Sequence, residues 1–162
     1  MKKESFHIYL GLGTNQGDKE KNLKRAIELL SLALGKYTLL SSFIETEPWG
    51  FESQNSFLNC VVTFTTTLTP FELLEKTEKI ERELGRVTKS QNGTYHDRII
   101  DIDILFYGEK IIQTKRLTIP HPLIQERDFV LNPLFEIAPQ LIHPIVGKTI
   151  AELKEEVNKK QL

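Results

Sequence analysis

Apolar and aromatic residues dominate Phe6–Leu12, which predicts a first β-strand. The glycine-bearing stretch Gly11-Leu12-Gly13-Thr14-Asn15-Gln16-Gly17 follows and reads as a tight turn between strand and helix. Asp18 is placed to cap that helix, in which Leu23, Ala26, Ile27, Leu30, Ala33 and Leu34 recur at helical spacing opposite lysines and glutamates. Gly35 ends it. Tyr37–Glu45 predicts a second strand, and Phe57–Thr66, alternating and rich in β-branched residues, a third. Thr69-Pro70-Phe71-Glu72 has the form of a capping box with proline at the first helical position, opening a helix that runs to about Leu84 and stops at Gly85. Ile99–Tyr107 predicts a fourth strand, and Ile111-Ile112 and Leu117–Ile119 predict short ones. Glu126–Ile137 suits a helix with Pro133 as a break or kink, and Thr149–Glu152 opens a last helix.

The order β-α-β-β-α-β with a C-terminal extension predicts an α+β, ferredoxin-like sheet with helices on one face. The other face is then left to carry a site or to be covered by the C-terminal elements. A length of 162 residues suits one domain, residues 1–162. The formal net charge of -1 disfavours a nucleic-acid or anionic-membrane partner. The single cysteine, Cys60, excludes an internal disulfide framework, and no histidine pair has zinc-ligand spacing. No signal peptide, bilayer-spanning run or internal repeat is legible, so a cytoplasmic protein is expected.

Candidate chemistry concentrates on the fourth strand. Residues two apart in a strand point the same way and lie about 6.6 Å apart, so Asp101 and Asp103 share one face while Ile100, Ile102, Ile104 and Phe106 share the other. Two carboxylates at that separation repel by roughly 2–3 kcal/mol at an effective dielectric near 20, a repulsion that a bound cation removes. Such a pair suits Mg²⁺, which takes one or two protein carboxylates and completes its shell with water and phosphate oxygens. The plainer alternative is a solvated strand face; the apolar neighbours, which suggest a central strand, favour the metal. On the third strand Leu58, Cys60, Val62 and Phe64 form an apolar face, while Phe57 and Asn59 point the other way. A ring beside an amide suits a flat nitrogen heterocycle, although a second hydrophobic layer explains the same pattern. Between Gly85 and Arg98 a long polar loop carries Arg86, Lys89 and His96, as a lid over phosphates or as a plain connection. Gln16 stands where a third dinucleotide-fold glycine belongs and no Gly-Lys-Ser/Thr follows, so Gly11 and Gly13 are not a phosphate loop.

Several stretches together resemble the 6-hydroxymethyl-7,8-dihydropterin pyrophosphokinase family. They are Gly11–Asn15, Glu45–Gly50, Phe57-Leu58-Asn59, Glu81–Arg86, Arg98–Leu105, Leu117–His121 and Arg127–Pro139. The resemblance implies diphosphate transfer from ATP to the pterin hydroxymethyl oxygen, with AMP leaving, by a monomer that binds two Mg²⁺ ions. It implies Asp101 and Asp103 as metal ligands that act in catalysis with Arg86 and Arg98. Phe57 and Phe129 would sandwich the pterin, with Asn59, Thr46, Pro48 and Trp49 around its polar edge. Glu81, Arg98, Ile104, Arg116, Thr118 and His121 would line the nucleotide side. The chain departs from the family's usual pattern in the loop, where Thr88 and Thr94 to Asp97 replace an arginine and a basic, tryptophan, glycine, proline run. A non-catalytic ferredoxin-like binding module and a metal-dependent phosphohydrolase are the rival readings of the aspartate pair.

Overall fold

A computed structural model of the chain describes residues 4–46, 56–85 and 99–160. The elements run β1 (Phe6–Thr14), α1 (Lys19–Leu34), β2 (Leu39–Leu40), β3 (Ile44–Thr46), β4 (Phe57–Thr66), α2 (Pro70–Leu84) and β5 (Asp101–Tyr107). They continue with β6 (Ile112–Gln113), β7 (Thr118–Ile119), a 3₁₀ turn (Ile124–Glu126), α3 (Asp128–Ile137) and α4 (Ile150–Lys160). The main sheet is antiparallel in the order β2-β4-β1-β5, with β3 also paired to β4; β6 and β7 form a separate hairpin.

Local chemistry fixes the helix starts as the side chains predict. Asp18 accepts the Lys21 N–H at 3.1 Å. At α2 the Thr69 hydroxyl accepts from Glu72 N–H at 3.2 Å while the Glu72 carboxylate accepts from Thr69 N–H at 2.8 Å, a reciprocal capping box. Thr149 and Glu152 repeat it before α4. Pro133 lies inside α3 without ending it.

Alternation sorts the sheet's two faces. Leu10, Leu12, Cys60, Val62, Phe64, Ile102 and Ile104 meet Leu23, Ala26, Ile27 and Leu30 of α1 and Leu73 and Ile80 of α2 in one core. Cys60 behaves as a small hydrophobe there, its thiol pushed up to about 12 by burial. A second core joins Val61, Leu105 and Phe106 to Ile124, Val130, Leu131, Leu134, Ile150 and Leu153, so α3 and α4 cover part of the opposite face.

Four sequence expectations are corrected. The predicted second strand breaks into β2 and β3 because Ser41 Oγ, rather than a main-chain carbonyl, accepts the Val61 N–H at 2.9 Å, and the Ser42 N–H turns away to Glu136 at 3.0 Å. Gly11 and Gly13 lie inside β1, not in a turn. The fourth strand is not central: among the described strands of its sheet β5 pairs only with β1, and its outer side receives the His121 N–H at the Leu105 carbonyl, 3.1 Å away. Phe106 does not share a face with Ile104. The register of β1 on β5 passes from Tyr9 opposite Phe106 to Leu10 opposite Ile104, skipping Leu105. This bulge turns both Leu105 and Phe106 toward α3 and α4.

Candidate active site

Residues directly opposite in an antiparallel sheet share a face. One row across the sheet therefore reads Ile44, Asn59, Gly13, Asp101, and the next reads Val61, Gly11, Asp103; Thr46 stands opposite Phe57 at the margin. Strands lie about 4.8 Å apart, so Asn59 and Asp101 are separated by roughly 10 Å with a glycine between them. The result is a trough along β1. β1 itself contributes no side chain to its floor; one flank carries Phe57 and Asn59, whose carboxamide leans over Gly13, and the other carries Asp101 and Asp103. The Leu105 side chain, 3.3 Å from where a Cβ on Gly11 would stand, closes one end. Gly13 is the residue that sequence reasoning missed. Its signal was available in the alternation of β1, which runs on past the two glycines to Thr14.

The Asn59 side chain is buried, and its Nδ2 donates to Thr46 Oγ1 at 3.2 Å. Lys19 ties the ends of β3 and β4 together, donating to Ser56 O at 3.2 Å and Oγ at 3.0 Å and pairing with Glu45 at 3.4 Å. The Ser56 hydroxyl and Lys19 hold the Glu45 carboxyl below its ordinary range. At the other end, the Thr14 hydroxyl donates to the Ile99 carbonyl, fixing the chain where it enters β5. Phe129 sits in the first turn of α3, which lies over β3 and β4, and packs at the margin of the second core. The Arg127 guanidinium stands 5.4 Å from its ring centroid.

On the carboxylate wall Asp101 is exposed and Asp103 half-exposed, so both carboxylates can be reached from solvent. His121 Nε2 lies 4.0 Å from Asp103 Oδ2. Its Nδ1 accepts the Leu123 N–H at 3.3 Å, which places the neutral ring's proton on Nε2, facing Asp103. Burial lowers the His121 pKa; Asp103 opposes the shift and Arg127 adds to it.

The remaining expected residues divide. Glu81 is nearly buried and accepts the Ile102 N–H at 2.8 Å, the peptide group between the two aspartates, so it braces the strand. Ile104 is 5% exposed in the core under α1 and α2, on the face away from the aspartates, so its side chain is not part of the site. Arg116 pairs with Glu78 of α2 at 3.3 Å, and the Thr118 hydroxyl donates to Thr114 O at 3.3 Å. Pro48, Trp49, Arg86, Lys89, His96 and Arg98 lie outside the described residues.

Two carboxylates with hard oxygen donors, one wall away from an amide and an aromatic ring, can hold a cation-bound polyphosphate beside a flat heterocycle. Among the described residues no cluster of three or more acidic, histidine or cysteine side chains is preformed for a metal, and no helix is long and apolar enough to cross a membrane.

The chain is 50% identical over 138 residues to the 2-amino-4-hydroxy-6-hydroxymethyldihydropteridine pyrophosphokinase of Porphyromonas gingivalis, covering 85% of this chain and 93% of that protein. It is 46% identical over 149 residues to the protein of the same name from Aquifex aeolicus, covering 92% and 91%. The fold matches a Plasmodium falciparum HPPK-DHPS crystal structure with pteroate at a TM-score of 0.75 and 19% identity. That match covers 99% of this chain and spans only 43% of the Plasmodium chain. Residues 9–139 match the family model of 7,8-dihydro-6-hydroxymethylpterin-pyrophosphokinase (HPPK), and the chain belongs to that family.

Proposed function

We propose that this chain, working as a single domain, transfers the terminal diphosphate of ATP to the hydroxymethyl oxygen of 6-hydroxymethyl-7,8-dihydropterin, giving the pterin diphosphate and AMP in folate biosynthesis. The observation that carries the reading is the trough: an aromatic and amide wall faces a two-carboxylate wall across a floor of glycine. The pterin ring lies against Phe57 and under Phe129, and Asn59 and Thr46 meet its polar edge. The hydroxymethyl group then points toward the carboxylate wall. There its oxygen attacks the β-phosphorus and the bond to the α-phosphate oxygen breaks.

The donor set fits Mg²⁺, since Asp101 and Asp103 are solvent-reachable oxygen donors on a braced strand, and two such ions bound with ATP would supply charge neutralisation for the polyphosphate. The protein's own part is alignment and electrostatics, with no covalent intermediate. Glu81 keeps the aspartates in register, and the Nε2–H of neutral His121 stays directed at the Asp103 side. Arg86 and Arg98 belong to the same scheme as cations for the phosphates. The strand order, β2-β4-β1-β5 with α1 and α2 on one face, supports the ferredoxin-like arrangement expected from the element order.

The test is an assay with ATP, Mg²⁺ and 6-hydroxymethyl-7,8-dihydropterin. AMP formed in equal amount to consumed pterin is expected. Phosphate release without pterin would instead identify a hydrolase, and no turnover at all a binding module.

A further inference from the structure

The two glycines of the trough floor are not equivalent. The three atoms nearest a Cβ added at Gly11 would be side-chain carbons of Leu105, the closest at 3.3 Å, and a leucine can yield that much. A Cβ added at Gly13 would fall 2.7 Å from Oδ1 of Asn59 and 3.8 Å from its Cγ, with no other described atom within 4 Å. The obstruction at Gly13 is therefore one functional group, the Asn59 carboxamide, lying down across the floor. That group has little freedom to move aside. It is 5% exposed on a strand flanked by β1 and β3, and its Nδ2 is engaged by Thr46 Oγ1. A carboxamide carries its donor and acceptor on opposite sides; with Nδ2 turned to β3, Oδ1 lies over β1.

We propose that Gly13 is a positioning residue for the pterin: its missing side chain lets the Asn59 carboxamide lie flat and present one fixed hydrogen-bonding edge to the ring. The proposal rests on the reading of Asn59 as the pterin-reading amide. With alanine at this position the carboxamide must rotate or rise, which breaks its bond to Thr46 and pushes it into the volume that the flat ring occupies. The carboxylate wall is untouched, so the nucleotide side keeps its affinity.

The experiment is a double-mutant cycle on Gly13→Ala and Asn59→Ala. It reads the KM for 6-hydroxymethyl-7,8-dihydropterin at saturating ATP and, by calorimetry, the Kd for Mg²⁺–ATP. Gly13→Ala should raise the pterin KM about tenfold or more, the scale of one lost hydrogen bond, and leave the Mg²⁺–ATP Kd within about twofold. In the Asn59→Ala background Gly13→Ala should add less than about twofold, because the obstructed group is gone. If the Gly13→Ala protein does not fold, the double variant must regain folding for the same reason, and failure to do so overturns the proposal. A normal pterin KM in Gly13→Ala beside an impaired Asn59→Ala overturns it alone, as does a Gly13→Ala effect that persists undiminished in the Asn59→Ala background. A normal pterin KM in Asn59→Ala overturns the reading of Asn59 and the proposal together.

Discussion

Glu81 offers the sharpest test of how the carboxylate wall is held. Its carboxylate accepts the N–H of Ile102 at 2.8 Å, and Ile102 is only 5% exposed, so solvent cannot readily replace the bond. Glu81→Ala leaves that donor without its partner, at a cost of about 1–3 kcal/mol. For a chain of this size each kcal/mol moves the melting temperature by about 2–4 °C, so a fall of about 2–12 °C is expected. Glu81→Gln keeps an oxygen acceptor at the same reach but loses the charge, and should fall by clearly less. Because Ile102 lies between Asp101 and Asp103, the alanine variant should also raise the Mg²⁺–ATP requirement, with a smaller effect on pterin affinity. Thermal unfolding by circular dichroism and a Mg²⁺–ATP titration of the transfer rate measure both. A Glu81→Ala protein melting within about 1 °C of the parent with an unchanged titration would refute the bracing role.

The aspartates themselves are exposed or half-exposed, so Asp101→Ala and Asp103→Ala should abolish transfer while the melting temperature stays near that of the parent; near-normal turnover in either folded variant would remove them from the site. Phe57→Ala and Phe129→Ala should each weaken pterin binding by roughly 1–3 kcal/mol, on the scale of base stacking against aromatic rings, with little change toward ATP; calorimetry with each ligand decides, and equal losses would place these rings elsewhere. Burial lowers the pKa of both His121 and His143 below the ordinary 6.5, so the unfolded chain binds protons first as pH falls. The sign is therefore that stability is full above about pH 6.5 and declines below it; equal melting temperatures at about pH 7.5 and about pH 5.5 would contradict this.

Much of the scaffold was legible because its signals are local. Asp18, Thr69 with Glu72, and Thr149 with Glu152 mark helix starts by bonds within one turn, and the alternation of Leu58 to Phe64 sorts the faces of β4 without outside help. Asp101 and Asp103 share a face for the same reason. What escaped depends on partners far along the chain. Whether β5 is central or peripheral is decided by which strand pairs beside it, which its own apolar run does not encode. The break at Ser41 depends on Val61 and Glu136, 20 and 94 residues from the residues they bind. The purpose of Gly13 depends on Asn59 lying across from it, and the sites of Glu81 and Ile104 depend on how α2 packs beside β5.

The bulge at Leu105 sets a length scale. By adding one residue to β5 it turns both Leu105 and Phe106 to the side that the aspartates occupy, where they meet Tyr9, the first β1 side chain beyond the two glycines. Moving the extra residue along β5 would not by itself lengthen the glycine floor, because the next β1 residue on that face is Tyr9, whose ring meets Phe106 edge-on. The size of molecule that this sheet can receive is thus bounded jointly by a phase slip in one strand and a tyrosine in its neighbour. An attempt to accommodate a longer acceptor should trim Tyr9 as well as move that slip.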